Sequence, residues 1–196
     1  ESLTHAWIHH RTEIKLRKVQ AERIAQEGAE ELLDGVDAIL VPGGFGERGF
    51  EGKIATIRYA REQGIPFLGI CYGMQAAVVE FARNVAGLTD ATTTEYDPEA
   101  GVPVISLMEE QKSIRDLGGS MRLGAFNCDL KQGSKSHGAY GEEQISERHR
   151  HRYELNNAYR SQLEEAGLVM SGVNSELDLV EIVEVPEHPW FVGVQF

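Results

Sequence analysis

The chain has 196 residues, of which 41% are hydrophobic and 26% are charged, as in an ordinary globular protein. Its formal net charge of −12 argues against a general binder of nucleic acids or of anionic membranes. The sequence shows no apolar run long enough for a membrane helix, no signal-peptide pattern, and only two cysteines, too few for a disulfide framework. We therefore expect a single cytoplasmic domain.

Helices alternate with short apolar strands over the first 90 residues. The predicted elements are helices near 3–10, 20–33 and 53–63, and strands at 14–17, 38–41 and 66–70. This alternation is typical of crossover units on a parallel sheet. Since such folds usually begin with a central strand, we expect that a first strand is missing before the initial helix.

The pattern changes after about residue 90. Strands are predicted at 102–107, 121–130, 147–155, 177–185 and 190–196, a helix at 157–166, and exposed loops at 109–120 and 131–144. The strands have mixed polarity, which is typical of antiparallel sheets with one solvated face. We predict an α/β fold with an open, mostly parallel sheet flanked by helices and a smaller antiparallel extension.

The sharpest motif is the run 66–77, where an apolar strand pattern leads into Gly-Ile-Cys-Tyr-Gly and a helix starting near Met74. This is the nucleophile-elbow pattern, with Cys71 in place of serine. The elbow would place the thiol at a helix N-terminus, which lowers a thiol pKa, and would aim the Tyr72 N–H at an oxyanion. The alternative is a buried structural cysteine, which is our interpretation of Cys128 because it has no flanking glycines.

A second motif is a loop at 43–49 with four glycines in seven positions. It matches neither a P-loop nor the dinucleotide fingerprint. In a doubly wound sheet it would lie at the carboxyl edge beside Cys71. We interpret the Gly44 N–H as a second oxyanion donor, with a simple tight turn as the alternative.

The run 148–152 alternates Arg and His at strand spacing. Because alternate residues of a strand face opposite sides, His149 and His151 should share one face and the three arginines the other. A zinc site would lack its remaining ligands here, so we predict no metal.

These motifs together resemble one family. The segments Pro-Gly-Gly-Phe-Gly-x-Arg-Gly (42–49) and Gly-Ile-Cys-Tyr-Gly-Met-Gln (69–75) are similar to those of class I glutamine amidotransferase domains. Segments 117–124, 147–157 and 188–196 narrow the resemblance to the C-terminal glutaminase domain of CTP synthases. The resemblance covers nearly the whole chain in the expected order.

The resemblance implies that Cys71 attacks the amide carbon of glutamine and forms a thioester with loss of ammonia. It implies that the N–H groups of Gly44 and Tyr72 hold the oxyanion and contact the substrate. Tyr72 stands where leucine is common in CTP synthases, which leaves its side-chain packing open but not its backbone role.

Three further residues match substrate-binding positions of the family. Gln75 lies one turn into the helix after the elbow and binds glutamine in the family. Glu95 matches the carboxylate that binds the α-ammonium group, and Arg152 matches the cation that pairs with the α-carboxylate, a role that suits a planar guanidinium.

CTP synthases are activated by GTP, and the resemblance places the responsive residues Phe45, Arg48 and Arg122 in Gly-flanked mobile loops. No cofactor is expected in this domain, whereas ATP and Mg²⁺ would act in an amidoligase domain that converts UTP to CTP. The expected partners are glutamine, that N-terminal amidoligase domain and, for the intact enzyme, further copies in a homo-oligomer.

Relative to the family, 1–196 is expected to be one glutaminase domain lacking its first strand and a C-terminal His-Pro-Glu segment. That segment would supply the general base and its orienting acid directly after Phe196. Alternative functions are the glutaminase domain of GMP synthetase, a non-catalytic regulatory or scaffolding domain of the same fold, and a cysteine hydrolase or stress protein of the related superfamily.

Overall fold

The structure is a computed structural model that describes residues 2–107 and 121–196. The helices of the described residues are α1 (Ser2–His10), α2 (Ala21–Glu27), α3 (Ala29–Leu33), α4 (Phe50–Gln63), α5 (Tyr72–Asn84), α6 (Lys135–Tyr140) and α7 (Arg160–Glu165). The strands are β1 (Ile39–Val41), β2 (Phe67–Ile70), β3 (Ala91–Thr93), β4 (Val102–Leu107), β5 (Arg122–Leu130), β6 (Gln144–His151), β7 (Tyr153–Leu155), β8 (Val169–Asn174), β9 (Leu179–Glu184) and β10 (Phe191–Val194). None of these helices has the length and apolar character needed to cross a membrane.

The strands form two sheets. The large sheet has the order β1-β2-β10-β9-β8-β5-β6, and the small sheet has the order β3-β4-β7. Strands β1, β2 and β10 are parallel neighbours, whereas the pairings from β10 through β6 are antiparallel. The predicted α/β fold with parallel strands and an antiparallel extension is confirmed, but the extension continues the large sheet and supplies most of its pairings.

Helix α5 is the centre of the core. Every residue from Tyr72 to Ala82 is buried, and the helix contacts strands of both sheets. The small residues Ala76 and Ala77 allow the sheets to approach the helix, and Val79 and Phe81 pack in the same hydrophobic cluster. These four positions therefore belong to the core.

Two predictions near the N-terminus are wrong in detail. The helix predicted at 20–33 is divided into α2 and α3 at Gly28, whose φ of 97° lies outside the helical region and favours glycine. The strand predicted at 14–17 does not form, because it has no pairing partner among the described residues and Leu16 is 61% exposed. The Arg17 guanidinium instead donates to the carbonyls of Leu32 and Asp34.

Two later segments also differ from the prediction. The strand predicted at 147–155 is two strands in different sheets, because the chain bends at Arg152 between β6 and β7. The loop predicted at 131–144 contains α6, which begins because the Ser134 side chain accepts from the His137 N–H and the buried Glu184 carboxylate accepts from two further backbone N–H groups. Strands β3 and β8 were not predicted, and the loop predicted at 109–120 lies outside the described residues.

The turn from β2 into α5 depends on two glycines. A Cβ at Gly69 would lie 2.7 Å from the backbone carbon of Gly73, and a Cβ at Gly73 would overlap the carbonyl oxygen of Val41. Side chains at either position would separate α5 from β1 and β2. The Gly-x-Cys-x-Gly spacing therefore allows the helix to begin directly against the sheet.

We predict that Gly73→Ala lowers the free energy of unfolding by about 1–3 kcal/mol, because the added Cβ meets rigid backbone. Gly138→Ala is the matched control, since a Cβ there meets nothing within 4 Å and replaces glycine inside an exposed helix. Urea unfolding of both variants measures the difference. Equal stability of the two variants would show that α5 can shift away from Val41 at little cost.

Candidate active site

Cys71 lies between β2 and α5 in a strained backbone conformation. Its φ of 53° and ψ of −103° are unusual for a residue with a Cβ, and such strain is stored at functional positions. The Cys71 N–H donates to the Val194 carbonyl at 2.6 Å, and its carbonyl accepts from the Gln75 N–H at 3.1 Å. These bonds hold the thiol at the N-terminus of α5, as the elbow motif predicts.

The environment of the Cys71 thiol combines opposing effects. Burial raises the pKa of this thiol, and the negative charges of Glu154 and Glu95 raise it further. The Tyr72 backbone N–H and the Gln195 side-chain amide lower the same pKa but do not cancel the effect of burial. The pKa of Cys71 is therefore raised, whereas its position at a helix N-terminus alone predicts a lowered pKa.

The glycine loop after β1 lies beside the elbow after β2, since the two strands are parallel neighbours. A Cβ at Gly43 would be 3.8 Å from the Cys71 Cβ, and one at Gly44 would be 3.3 Å from the Tyr72 ring. The predicted position of the loop is confirmed. The oxyanion role of the Gly44 and Tyr72 N–H groups stays a prediction.

The Tyr72 side chain ties this loop to the core. Its ring is buried against Phe50, with ring centroids 5.4 Å apart, and its hydroxyl donates to the Gly46 carbonyl. The Gly46 N–H in turn donates to Glu95 Oε1 at 2.7 Å. The side chain whose packing the sequence left open thus links the elbow, the glycine loop and Glu95.

A cleft of about 800 Å³ opens above Cys71. Its wall comes from the glycine loop, from α5, from the turn after β3, from the residue before β5, from β6 and β7, and from the residues after β10. It is lined by Gly43, Gly44, Phe45, Gly46, Cys71, Gln75, Glu95, Met121, Arg148, Arg150, His151, Arg152, Tyr153, Gln195 and Phe196. The structure therefore brings together Cys71 and all the residues predicted to bind glutamine, except that Tyr72 lies just beneath the cleft.

Glu95 and Arg152 place opposite charges in this cleft from different parts of the fold. Glu95 lies in the turn after β3, and Arg152 lies at the bend between the two sheets. Burial raises the pKa of Glu95, whereas the Gly46 N–H and the positive charge of Arg152 lower it. A carboxylate and a guanidinium in one cleft with a thiol suit a ligand that carries an ammonium, a carboxylate and an electrophilic carbon.

Phe45 and Arg48 are exposed, as expected for residues of a surface loop. The Phe45 side chain is 89% exposed and lines the mouth of the cleft, and Arg48 pairs with Glu22 on α2. The prediction that Arg122 lies in a mobile loop is wrong, because this residue is 5% exposed on β5 and makes ion pairs with Glu154 at 3.0 Å and Glu181 at 2.7 Å. A guanidinium engaged in this way is not available to an effector in solution.

Arg122 belongs to a buried polar cluster behind the cleft. Its partner Glu154 also bonds His151 Nε2 at 2.7 Å, and Glu181 Oε2 lies 3.6 Å from His149 Nδ1. Burial, assisted by the positive charge of Arg122 and by the nearby His151 ring, lowers the pKa of His149 to about 3, so its ring is neutral. Burial raises the pKa of Glu181, and Arg122 opposes this shift.

Sequence reasoning missed several residues of the cleft. Arg148 and Arg150 were correctly placed on the face opposite the histidines, but the alternation does not show that this exposed face lines the cleft. Tyr153 and Gln195 carried no motif signal of their own. Both residues lie at strand ends beside Cys71, and only the order of the strands in the sheets shows this.

The prediction that Cys128 is a core cysteine agrees with the structure. Cys128 is buried in β5, and burial raises its pKa to about 12, which makes it unreactive near neutral pH. Within residues 2–107 and 121–196, no group of three or more His, Cys, Asp or Glu side chains is arranged to hold a metal ion.

Curated relatives resemble this chain along its whole length. It is 58% identical over 196 residues to the CTP synthase of Geobacter metallireducens and 60% identical to that of Geobacter sulfurreducens. Both alignments cover 100% of this chain but only 36% and 37% of the relatives. The chain thus spans little more than a third of their length.

Solved structures share the fold described above. The glutaminase domain of Trypanosoma brucei CTPS with bound acivicin superposes with a TM-score of 0.90 at 38% identity, covering 98% of this chain and 76% of that one. A glutamine amidotransferase from Thermotoga maritima, at 12% identity and a TM-score of 0.57, shares the fold alone. The sequence matches glutamine amidotransferase class-I over residues 1–196. With its cysteine elbow and charged cleft, the chain belongs to the class-I glutamine amidotransferase family.

Proposed function

We propose that this chain is the glutaminase part of a longer enzyme, in which Cys71 is the nucleophile that hydrolyses glutamine to glutamate and ammonia. The observation that carries the proposal is the elbow thiol in one cleft with Glu95 and Arg152. Cys71 Sγ attacks the carboxamide carbon, the C–N bond breaks, and the nitrogen leaves as ammonia with the thiol proton. Water then cleaves the thioester and releases glutamate.

Each end of the substrate has a partner in the cleft. Glu95 accepts hydrogen bonds from the α-ammonium group, and Arg152 donates to the α-carboxylate. The N–H groups of Gly44 and Tyr72 donate to the oxygen that gains charge when Cys71 attacks. The similar glutaminase domain of Trypanosoma brucei CTPS has acivicin bound, which supports a site for a small ligand in this chain.

The proton transfers need a general base that fits the geometry. His188 Nε2 contacts the Ala60 carbonyl at 3.0 Å, and His151 Nε2 is engaged by Glu154. The family resemblance places the base directly after Phe196, whose side chain lines the cleft. We propose that a histidine in that position serves Cys71.

For the whole protein we propose that the ammonia supplies an N-terminal amidoligase domain that uses ATP and Mg²⁺ to convert UTP to CTP. The CTP synthase relatives, which are about three times as long as this chain, support this proposal over the GMP synthetase alternative. GTP would activate the reaction at the exposed loop that carries Phe45 and Arg48, without Arg122. Homo-oligomers of the intact enzyme belong to the same proposal.

We predict that an electrophilic glutamine analogue adds to Cys71 and leaves Cys128 unmodified, as peptide mass mapping would show. Because burial raises the pKa of Cys71, its reaction with a simple alkylating agent should still accelerate above about pH 8.5. Cys71→Ser should abolish labelling, and Cys128→Ser should preserve it. An adduct on Cys128 would contradict the site.

We predict that Glu95→Gln and Arg152→Ala each weaken glutamine binding by about 10- to 100-fold, since a hydrogen bond to a charged group contributes roughly 1.5–3 kcal/mol. Calorimetry in a Cys71→Ala background measures binding without turnover. Arg152→Lys should lose less, because the charge remains. The control variants Glu99→Gln and Arg58→Ala, at exposed positions outside the cleft, should bind glutamine normally. Unchanged affinity for glutamine in folded Arg152→Ala would rule out the proposed binding of the α-carboxylate by Arg152.

We predict that Cys71→Ala, in a protein that joins this chain and the base-bearing segment proposed after Phe196 to an amidoligase domain, abolishes CTP formation from glutamine but not from added ammonia. The reason is that only the release of nitrogen requires the thiol. Product formation with either nitrogen source measures the effect, with Cys128→Ala as the control. Loss of both activities in a folded Cys71→Ala variant would contradict the proposal that Cys71 acts only in the release of nitrogen from glutamine.

A further inference from the structure

Gln195 is a buried residue of the cleft that has no role in the proposed steps of glutamine hydrolysis. Its side chain has no exposed surface, although it lines the cleft beside Cys71. Its backbone N–H donates to the Glu181 carbonyl at 2.8 Å, and the preceding Val194 carbonyl accepts from the Cys71 N–H. The residue is therefore fixed on both sides next to the elbow.

The orientation of the Gln195 amide follows from its neighbours. Gln75 Nε2 donates to the Tyr153 backbone carbonyl at 2.9 Å and to Gln195 Oε1 at 3.3 Å. A carbonyl can only accept, so the atom of Gln75 beside Tyr153 is the nitrogen. That nitrogen must face an acceptor on Gln195, and the NH₂ group of Gln195 therefore faces away from Gln75.

This NH₂ group has no hydrogen-bond acceptor within the described structure, although it is buried. An unsatisfied buried donor is costly and rare in native proteins, and it often marks a functional position. The position of this donor beside Cys71 agrees with the effect of the Gln195 amide on the thiol, whose pKa it lowers. The negative charges of Glu154 and Glu95 have the opposite effect, because they raise the pKa of Cys71.

We propose that Gln195, oriented by Gln75, donates a hydrogen bond from Nε2 to the Cys71 thiolate and is a further catalytic residue of this site. The neutral thiol leaves the donor unpaired, and ionisation supplies its acceptor. The bond joins the one from the Tyr72 N–H, so that two fixed donors offset part of the effect of burying the sulfur. This inference rests on Cys71 being the nucleophile of the proposed function.

The test is the pH profile of Cys71 alkylation by iodoacetamide in the purified protein, followed by peptide mass mapping. Gln195→Met has similar length but no donor, and it should move the midpoint up by about one pH unit. Gln195→Glu keeps the shape but replaces the donor with an acceptor, so its midpoint should rise further. Gln75→Met frees the Gln195 amide to rotate and should give a smaller rise.

Thr56→Val is the matched control, because it removes a buried hydrogen bond to the Gly52 carbonyl far from the thiol. It should lower the melting temperature without moving the Cys71 midpoint. If Gln195→Met does not fold, the isosteric Gln195→Glu variant decides the question. A midpoint that stays at the wild-type value, or falls, in a folded Gln195 variant would overturn the proposal and leave only a structural role.

The measurement is independent of turnover. If the wild-type enzyme released no ammonia from glutamine, the proposed function would fail, but the alkylation midpoints could still be compared. If ammonia release were normal and the midpoints equal, the reaction would stand and the role of Gln195 would fail. The two failures are therefore distinguishable.

Discussion

The close backbone approach of α5 to β1, at Gly73 and Val41, is the constraint on which the site depends. No side chain fits between these elements, so the helix must begin where the sheet ends. This forces Cys71 into a positive φ and places its thiol at the carboxyl edge of the sheet. The glycine loop after β1 and the chain after β10 are then brought against the sulfur by their parallel pairing with β2.

The charge on one wall of the cleft is opposite in sign to the net charge of the chain. The chain carries a net charge of −12, yet one wall of the cleft presents three arginines, at 148, 150 and 152. The carboxylates behind that wall share one buried cation, since Arg122 pairs with both Glu154 and Glu181. Net charge therefore excludes a general binder of polyanions but says nothing about a local site for a small zwitterion.

The parts of the site that depend on local geometry were predictable from sequence. The elbow at Cys71 and the loop at Gly44 follow from glycine spacing, because only glycine tolerates such close contacts. Gln195 and Tyr153 were not found, since their roles depend on side-chain contacts between residues up to 120 positions apart. Arg122 was misplaced for a related reason: neighbouring glycines indicate a mobile loop, but pairing with buried carboxylates on β7 and β9 fixes the residue.

The hydroxyl of Tyr72 ties the glycine loop to the buried elbow through Gly46, and Gly46 in turn holds Glu95. A glycine-rich loop has a large conformational entropy when it is unrestrained, and ordering it would oppose binding of any ligand. Because the phenol is itself part of the core, that entropy is lost when the protein folds. The loop is thus preorganised, and ligand binding does not have to offset the loss of its conformational entropy.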